Sequence, residues 1–161
     1  MNTFPLLALG FLLASPMLGQ APVKVAGEFT YIRMSDPIDD SNRSLIYTMN
    51  AGGNMVSWKC LDDGMNVLFD LSGYMGGKDD EVTVTYRFDS APAVGPRRFG
   101  LLTGNKFAYL PEREVDEFTK LAISSQSLVV RATDPMDGET KTYKVGLRGL
   151  AEALPRLNRC K

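Results

Sequence analysis

Three pairs of adjacent carboxylates, Asp39-Asp40, Asp62-Asp63 and Asp79-Asp80, are the first residues of this 161-residue chain whose type could do chemistry. Paired carboxylates can share acid–base work or hold Ca²⁺. None has the Asp-x-Asp-x-Asp-Gly spacing of a calcium loop, and all three sit beside turn-forming residues, so turn chemistry accounts for them. The run Asp134-Pro135-Met136-Asp137-Gly138 reads the same way. Met34, Met49, Met55, Met65 and Met75 would interest a copper ion in an exported protein, but they lack close Met-x-Met clustering and are expected to fill the core. Ser57 and Lys59 share one face of a strand, the geometry of a Ser–Lys dyad, with no supporting motif around them. The chain has no His, so an activated thiol or hydroxyl lacks its commonest base. It also lacks a Gly-x-Ser-x-Gly elbow, a Walker loop and a zinc motif. No catalytic residue, metal or cofactor is expected.

The compartment is easier to read than the chemistry. Residues 1–21 look like a cleavable secretory signal: an apolar run over 4–14, then Ser15-Pro16, then Gly19-Gln20-Ala21 with small residues at −3 and −1 of a cut after Ala21. The apolar run is too short to span a bilayer, and nothing later is long and apolar enough to do so. The start carries no Lys or Arg, so retention as an anchor stays open as the alternative. Cleavage leaves 140 residues, the size of one domain, placed in the periplasm or outside the cell. The two cysteines, Cys60 and Cys160, are an even count in an exported chain and are expected to form a disulfide. The alternative is a buried unpaired pair.

The elements that must position these residues follow from periodicity. Residues 81–88 alternate Val82, Val84, Tyr86 and Phe88 with polar neighbours, a strand with one buried face. Strands are also predicted over 27–34, 43–50, 127–133 and 139–145. Two hairpins join 54–60 to 65–71 through Asp63-Gly64, and 97–102 to 106–110 through Gly104-Asn105. Val56, Trp58 and Cys60 share one face of the first hairpin, so Cys60 should point inward with its partner's Cα within about 7 Å. Pro111 starts a helix to about residue 124, with Val115, Phe118 and Ala122 along one side. A second helix, about 149–158, places Leu150, Leu154 and Leu157 at helical spacing, and Pro155 should kink or end it early. The fold class is α+β: a mainly antiparallel sheet of about 7–9 strands with two helices, in a single domain over 22–161.

Charge and loops supply the candidate contacts. Residues 22–89 hold six Lys/Arg against eleven Asp/Glu, and residues 90–161 hold twelve against eight. Two solvated faces of one fold account for such asymmetry. No basic groove interleaves with aromatics, so nucleic acid is not an expected partner. Tyr74-Met75-Gly76-Gly77 reads as a loop between strands, a simple connector or, if Tyr74 and Met75 are exposed, a partner contact. Near the C-terminus Lys141, Lys144, Arg148, Arg156, Arg159 and Lys161 outnumber Glu139 and Glu152, which raises an anionic envelope partner as a hypothesis.

Five stretches occur together in order: Ser35-Asp36-Pro37-Ile38-Asp39-Asp40, Val56-Ser57-Trp58-Lys59-Cys60, Val84-Thr85-Tyr86-Arg87-Phe88-Asp89, Leu128-Val129-Val130-Arg131, and Gly149-Leu150-Ala151-Glu152-Ala153-Leu154 with Cys160. In this the chain resembles the VasI-like family of exported proteins, some of which are encoded with type VI secretion genes. The family's last helix usually runs unbroken to its Cys, so Pro155 departs from the pattern. The resemblance implies an exported accessory protein of unsettled biochemistry. The expected function is a non-enzymatic binding protein of the cell envelope. Its alternatives are an exported carboxylate-dependent hydrolase and a structural subunit of a surface assembly. Oligomeric state is not legible in the sequence.

Overall fold

The computed structural model describes residues 20–75, 81–102, 104–157 and 160. Residues 1–19 of the expected signal, Asp79-Asp80, Arg159 and Lys161 lie outside the described residues. One antiparallel sheet holds all ten strands. They are β1 (Val23–Ala26), β2 (Phe29–Ile32), β3 (Leu45–Met49), β4 (Met55–Leu61), β5 (Gly64–Asp70), β6 (Glu81–Phe88), β7 (Val94–Leu101), β8 (Phe107–Tyr109), β9 (Ser127–Thr133) and β10 (Thr140–Gly146). Their order across the sheet is β1-β2-β3-β4-β5-β8-β7-β6-β9-β10. Two helices, α1 (Glu112–Ile123) and α2 (Leu150–Ala153), complete an α+β domain, and a 3-10 turn over Leu154–Leu157 follows directly.

The tenth strand is β1, too short and too mixed in character (Val-Lys-Val-Ala) for periodicity to single out. β7 begins at Val94, ahead of the expected 97, and takes in Gly95-Pro96, a cis peptide, beside an irregularity in the β6–β7 ladder. Proline inside a strand argues against strand on sequence grounds and is tolerated at such breaks. Gly95 takes φ 107°, and a Cβ there would meet the Val84 carbonyl oxygen at 2.7 Å.

The chain runs β1 to β5 as a meander, crosses to β6, and returns through β7 and β8 to pair with β5. α1 then carries it over the core to β9 on the far side of β6. The sheet curls until β10 lies near the middle of the first meander: the Tyr143 hydroxyl donates to the Met55 carbonyl oxygen at 3.3 Å. A second closure joins the β1–β2 turn to the segment before α2, where the Glu28 N–H donates to the Arg148 carbonyl oxygen at 2.9 Å. That approach is close enough to require glycine on both sides. A Cβ on Gly27 would meet the Arg148 oxygen at 2.1 Å, and one on Gly149 would meet the Ala26 carbonyl at 2.6 Å.

The concave side is filled by aromatics in edge-to-face and tilted contacts, which suit the ring quadrupoles. Phe118 of α1 sits at their centre, with ring centroids 5.0 Å from Phe88, 5.2 Å from Tyr86, 5.6 Å from Phe69 and 6.1 Å from Trp58. The expected α1 face, Val115, Phe118 and Ala122, is buried together with Thr119. The Thr119 hydroxyl accepts a 2.9 Å hydrogen bond from the Trp58 indole N–H, satisfying the polar atom of the largest buried side chain.

Phe118 ties three strands, β4, β5 and β6, to one helix, so Phe118→Ala should lower unfolding free energy by about 3–5 kcal/mol. Urea denaturation measures this; a loss below about 1 kcal/mol would contradict the packing described.

Candidate functional site

The Cys60–Cys160 disulfide is present, with the Cα atoms 5.0 Å apart. Cys60 faces inward on β4 with Val56 and Trp58, all three fully buried. The last helix stops at Ala153, and the chain tightens into the 3-10 turn on reaching Pro155. A proline ring cannot continue the α-helical hydrogen-bond ladder, which explains the change of pitch. Leu150, Ala153 and Leu157 bury against the core, and the Cys160 N–H donates to the Leu157 carbonyl at 3.0 Å.

On the outer side of this staple lies a groove of about 750 Å³ between the β2–β3 connection and the 3-10 turn. Tyr31, Met34 and Ser44 contribute to one wall and Pro155 and Arg156 to the other, with Arg33, Asp40 and Asn42 also lining it. Ser44 is 2% exposed and anchors a small network. It accepts from the Met34 N–H at 3.1 Å and from the Tyr31 hydroxyl at 3.4 Å, and the Asn42 side-chain oxygen accepts from its backbone N–H at 3.0 Å. The Cys60 N–H donates to the Ser44 carbonyl at 2.9 Å. The disulfide therefore connects both walls, one through Cys60 and Ser44, the other through Cys160 and Leu157. Arg33 and Arg156 are exposed, and neither makes an ion pair among the described residues.

The C-terminal cations separate into two kinds. Arg148 pairs with Glu28 at 3.0 Å, and Lys141 lies 3.7 Å from Glu139. Arg156 alone of the described cluster lines the groove. Sequence reasoning named Arg156 but missed Arg33, whose place beside it depends on how the last turn packs against β2.

The described acidic pairs close their own turns. The Asp39 carboxylate accepts from the Ser41 N–H at 2.9 Å, and Asp40 takes a left-handed φ of 57°. The Asp63 carboxylate accepts from the Asn66 side-chain amide at 2.7 Å. Asp62 lies 2.6 Å from the Arg43 guanidinium, which also reaches Asp36 at 3.5 Å. In the 134–138 turn, Asp134 accepts from the Met136 N–H and Asp137 from the Glu139 N–H, each at 2.8 Å. Apart from Asp40, which lines the groove, these carboxylates are occupied in turns or an ion pair.

Two expectations need correction. Met75 is fully buried, because segment 71–75 lies over the 104–107 turn, with the Leu71 N–H on the Lys106 carbonyl and the Met75 N–H on the Asn105 carbonyl. Only Tyr74 of that pair is exposed, at 65%. The methionines are not uniformly core: Met75 is buried and Met65 packs against the core, whereas Met34 and Met49 are exposed. Met49 and Met55 instead line a second, apolar groove on the outer face of the sheet. Ser57 and Lys59 line that groove too, and no hydrogen bond joins them.

Among the described residues no helix is long and apolar enough to cross a membrane. No family model, curated protein or solved structure matches the chain. The resemblance to VasI-like proteins accordingly rests on the short motifs and their order.

One carboxylate outside the grooves is tuned by its surroundings. Asp89, just after β6, accepts from the Gln126 N–H at 3.0 Å and from the Ser127 N–H and hydroxyl at 2.8 and 3.0 Å. These bonds, the Gln126 N–H foremost, hold its pKa below the ordinary 3.8. A lowered folded-state pKa stabilises above the unfolded value and loses that contribution as pH falls through the folded one. Asp89→Asn should therefore be less stable than wild type at neutral pH, with the gap shrinking below about pH 3.8. Thermal melts across that range would show it; a gap independent of pH would contradict the assignment.

Proposed function

We propose that this chain is an exported, non-enzymatic binding domain of the cell envelope, and that the groove between β2–β3 and the last turn takes an anionic group of its partner. The observation that carries the reading is the meeting of Arg33 and Arg156 on one groove with no carboxylate paired to either among the described residues. Guanidinium groups bind carboxylates and phosphates in bidentate fashion and are the usual choice where planar anions are recognised. Two left unpaired across one groove are available for such a ligand. The half-buried Tyr31 and Asn42, held in the Ser44 network, also line the groove. Asp40 on the rim biases the groove against a highly charged polyanion and toward a single anionic group.

Export is supported by the signal-like residues 1–21 and by a disulfide, which persists in oxidising compartments. A cut after Ala21 takes away Gln20, which lines the groove, and leaves it more open. The ordered motifs resembling VasI-like proteins agree with an accessory role in the envelope, with or without a secretion system. A hydrolase built on carboxylates has less support, since Asp39, Asp62 and Asp63 are spent on turns or an ion pair and Asp40 is the single carboxylate among the residues lining the groove.

The test is an NMR titration of the oxidised chain with acetate and, separately, with inorganic phosphate. Either anion should move Arg33 and Arg156 side-chain signals together, with affinity falling as salt rises. The R33E/R156E double variant should bind at least about tenfold more weakly while remaining folded, since both residues are exposed. Shifts confined to residues elsewhere, or affinity unchanged in the double variant, would overturn the assignment.

A further inference from the structure

The outer face of the first meander is unusual for a sheet surface. Along β3, β4 and β5 the inward residues are apolar except for Thr48, and several outward ones are apolar too. The register places Leu45 opposite Lys59, Tyr47 opposite Ser57, and Met49 opposite Met55, with Ser57 in turn opposite Leu68. Together with Leu102 and Phe107 these outward side chains enclose a groove of about 390 Å³. Sites for small molecules generally span about 300–1,000 Å³ and combine apolar walls with a few polar groups.

The polar groups here lie toward one end. Lys59 is half-buried and makes no ion pair or side-chain hydrogen bond among the described residues. The Tyr47 hydroxyl, diagonal to it across the β3–β4 pair, makes no hydrogen bond either. Diagonal partners in antiparallel sheets lie about 7–8 Å apart, within reach of side chains as long as these. At the other end Met49 and Met55 face each other, and thioether side chains adapt to a flexible apolar guest. β3 and β4 are paired on both sides, so no added strand can dock there.

We infer that this outer-face groove binds a single-chain amphiphile with a carboxylate head, such as a fatty acid, its chain along Tyr47, Met49, Met55, Leu68 and Phe107 and its carboxylate on Lys59 and the Tyr47 hydroxyl. Charge complementarity fixes the orientation: a lone cation in an apolar trough draws an anion at that end and nothing charged at the other. The site is separate from the Arg33–Arg156 groove and does not depend on the function proposed for it.

Isothermal titration of the oxidised chain with dodecanoate, kept below its critical micelle concentration, tests the assignment. Saturable one-to-one binding is expected, with dodecyltrimethylammonium bound at least about tenfold more weakly. Lys59→Glu should remove that preference. Met49→Asp, at a position 53% exposed and so harmless to folding, should weaken both ligands at least about tenfold. R33E/R156E should leave dodecanoate binding unchanged, which separates this site from the polar groove. Absence of saturable binding, or affinity untouched by Met49→Asp and Lys59→Glu, would overturn the proposal. So would Lys59-dependent sedimentation with phosphatidylglycerol vesicles without binding of monomeric dodecanoate, because the face would then be a membrane-docking surface.

Discussion

A single covalent tie, from the middle of the sheet to the last turn, sets the arrangement on which the rest depends. Cys60 sits on β4 two residues beyond Trp58, fully buried in the core, and Cys160 follows the 3-10 turn by three residues. The two are 100 residues apart, and closing a loop of that length restricts the unfolded chain by about 4.7 kcal/mol on the chain-entropy account. Its location matters as much as its size. A four-residue helix and a four-residue 3-10 turn have too few internal hydrogen bonds to persist alone. They hold because Leu150, Ala153 and Leu157 are buried and because the chain end is fastened.

The same tie shapes the polar groove. Its sheet-side wall is held by the hydrogen bond from Cys60 to Ser44 and by the network around Ser44, and its other wall is the turn carrying Arg156. Arg33 and Arg156 thus face one space from far-separated parts of the chain. Ordering before binding lowers the entropy that a ligand must overcome. The apolar groove owes its shape to something different: β3, β4 and β5 are each paired on both sides, and their register aligns the outward Leu45, Tyr47, Met49, Met55 and Leu68. The two sites are therefore mechanically independent, one fixed by a cross-link and a turn, the other by ladder register.

What the sequence showed of this depended on whether a signal was local. The inward face of β4, Val56, Trp58 and Cys60, was legible because alternation over a strand needs no knowledge of neighbours. So were the alternating β6, the apolar side of α1, and the break at Pro155, where ring chemistry decides the outcome. β1 was not legible, since four residues carry too little period, and β7 was foreshortened because its cis Gly95-Pro96 reads as a stop. Met34, Met49 and Met55, expected in the core, were misplaced for a common reason, and Met75 was misplaced only as a partner contact. Hydrophobic type says that a residue avoids water and does not say which face of a strand, or which loop, supplies the cover. The Arg33–Arg156 juxtaposition was invisible, because it arises from packing of the last turn against the second strand.

The central claim is that the disulfide holds the last turn against an otherwise self-sufficient sheet. Amide hydrogen exchange measured on the oxidised and the reduced chain tests it most directly. On reduction, amides of residues 150–157 should lose protection while those of β4, β5, β6 and β9 stay slow, because their ladders and the Phe118 cluster remain. Unchanged protection over 150–157, or loss of protection across the whole sheet at once, would contradict it.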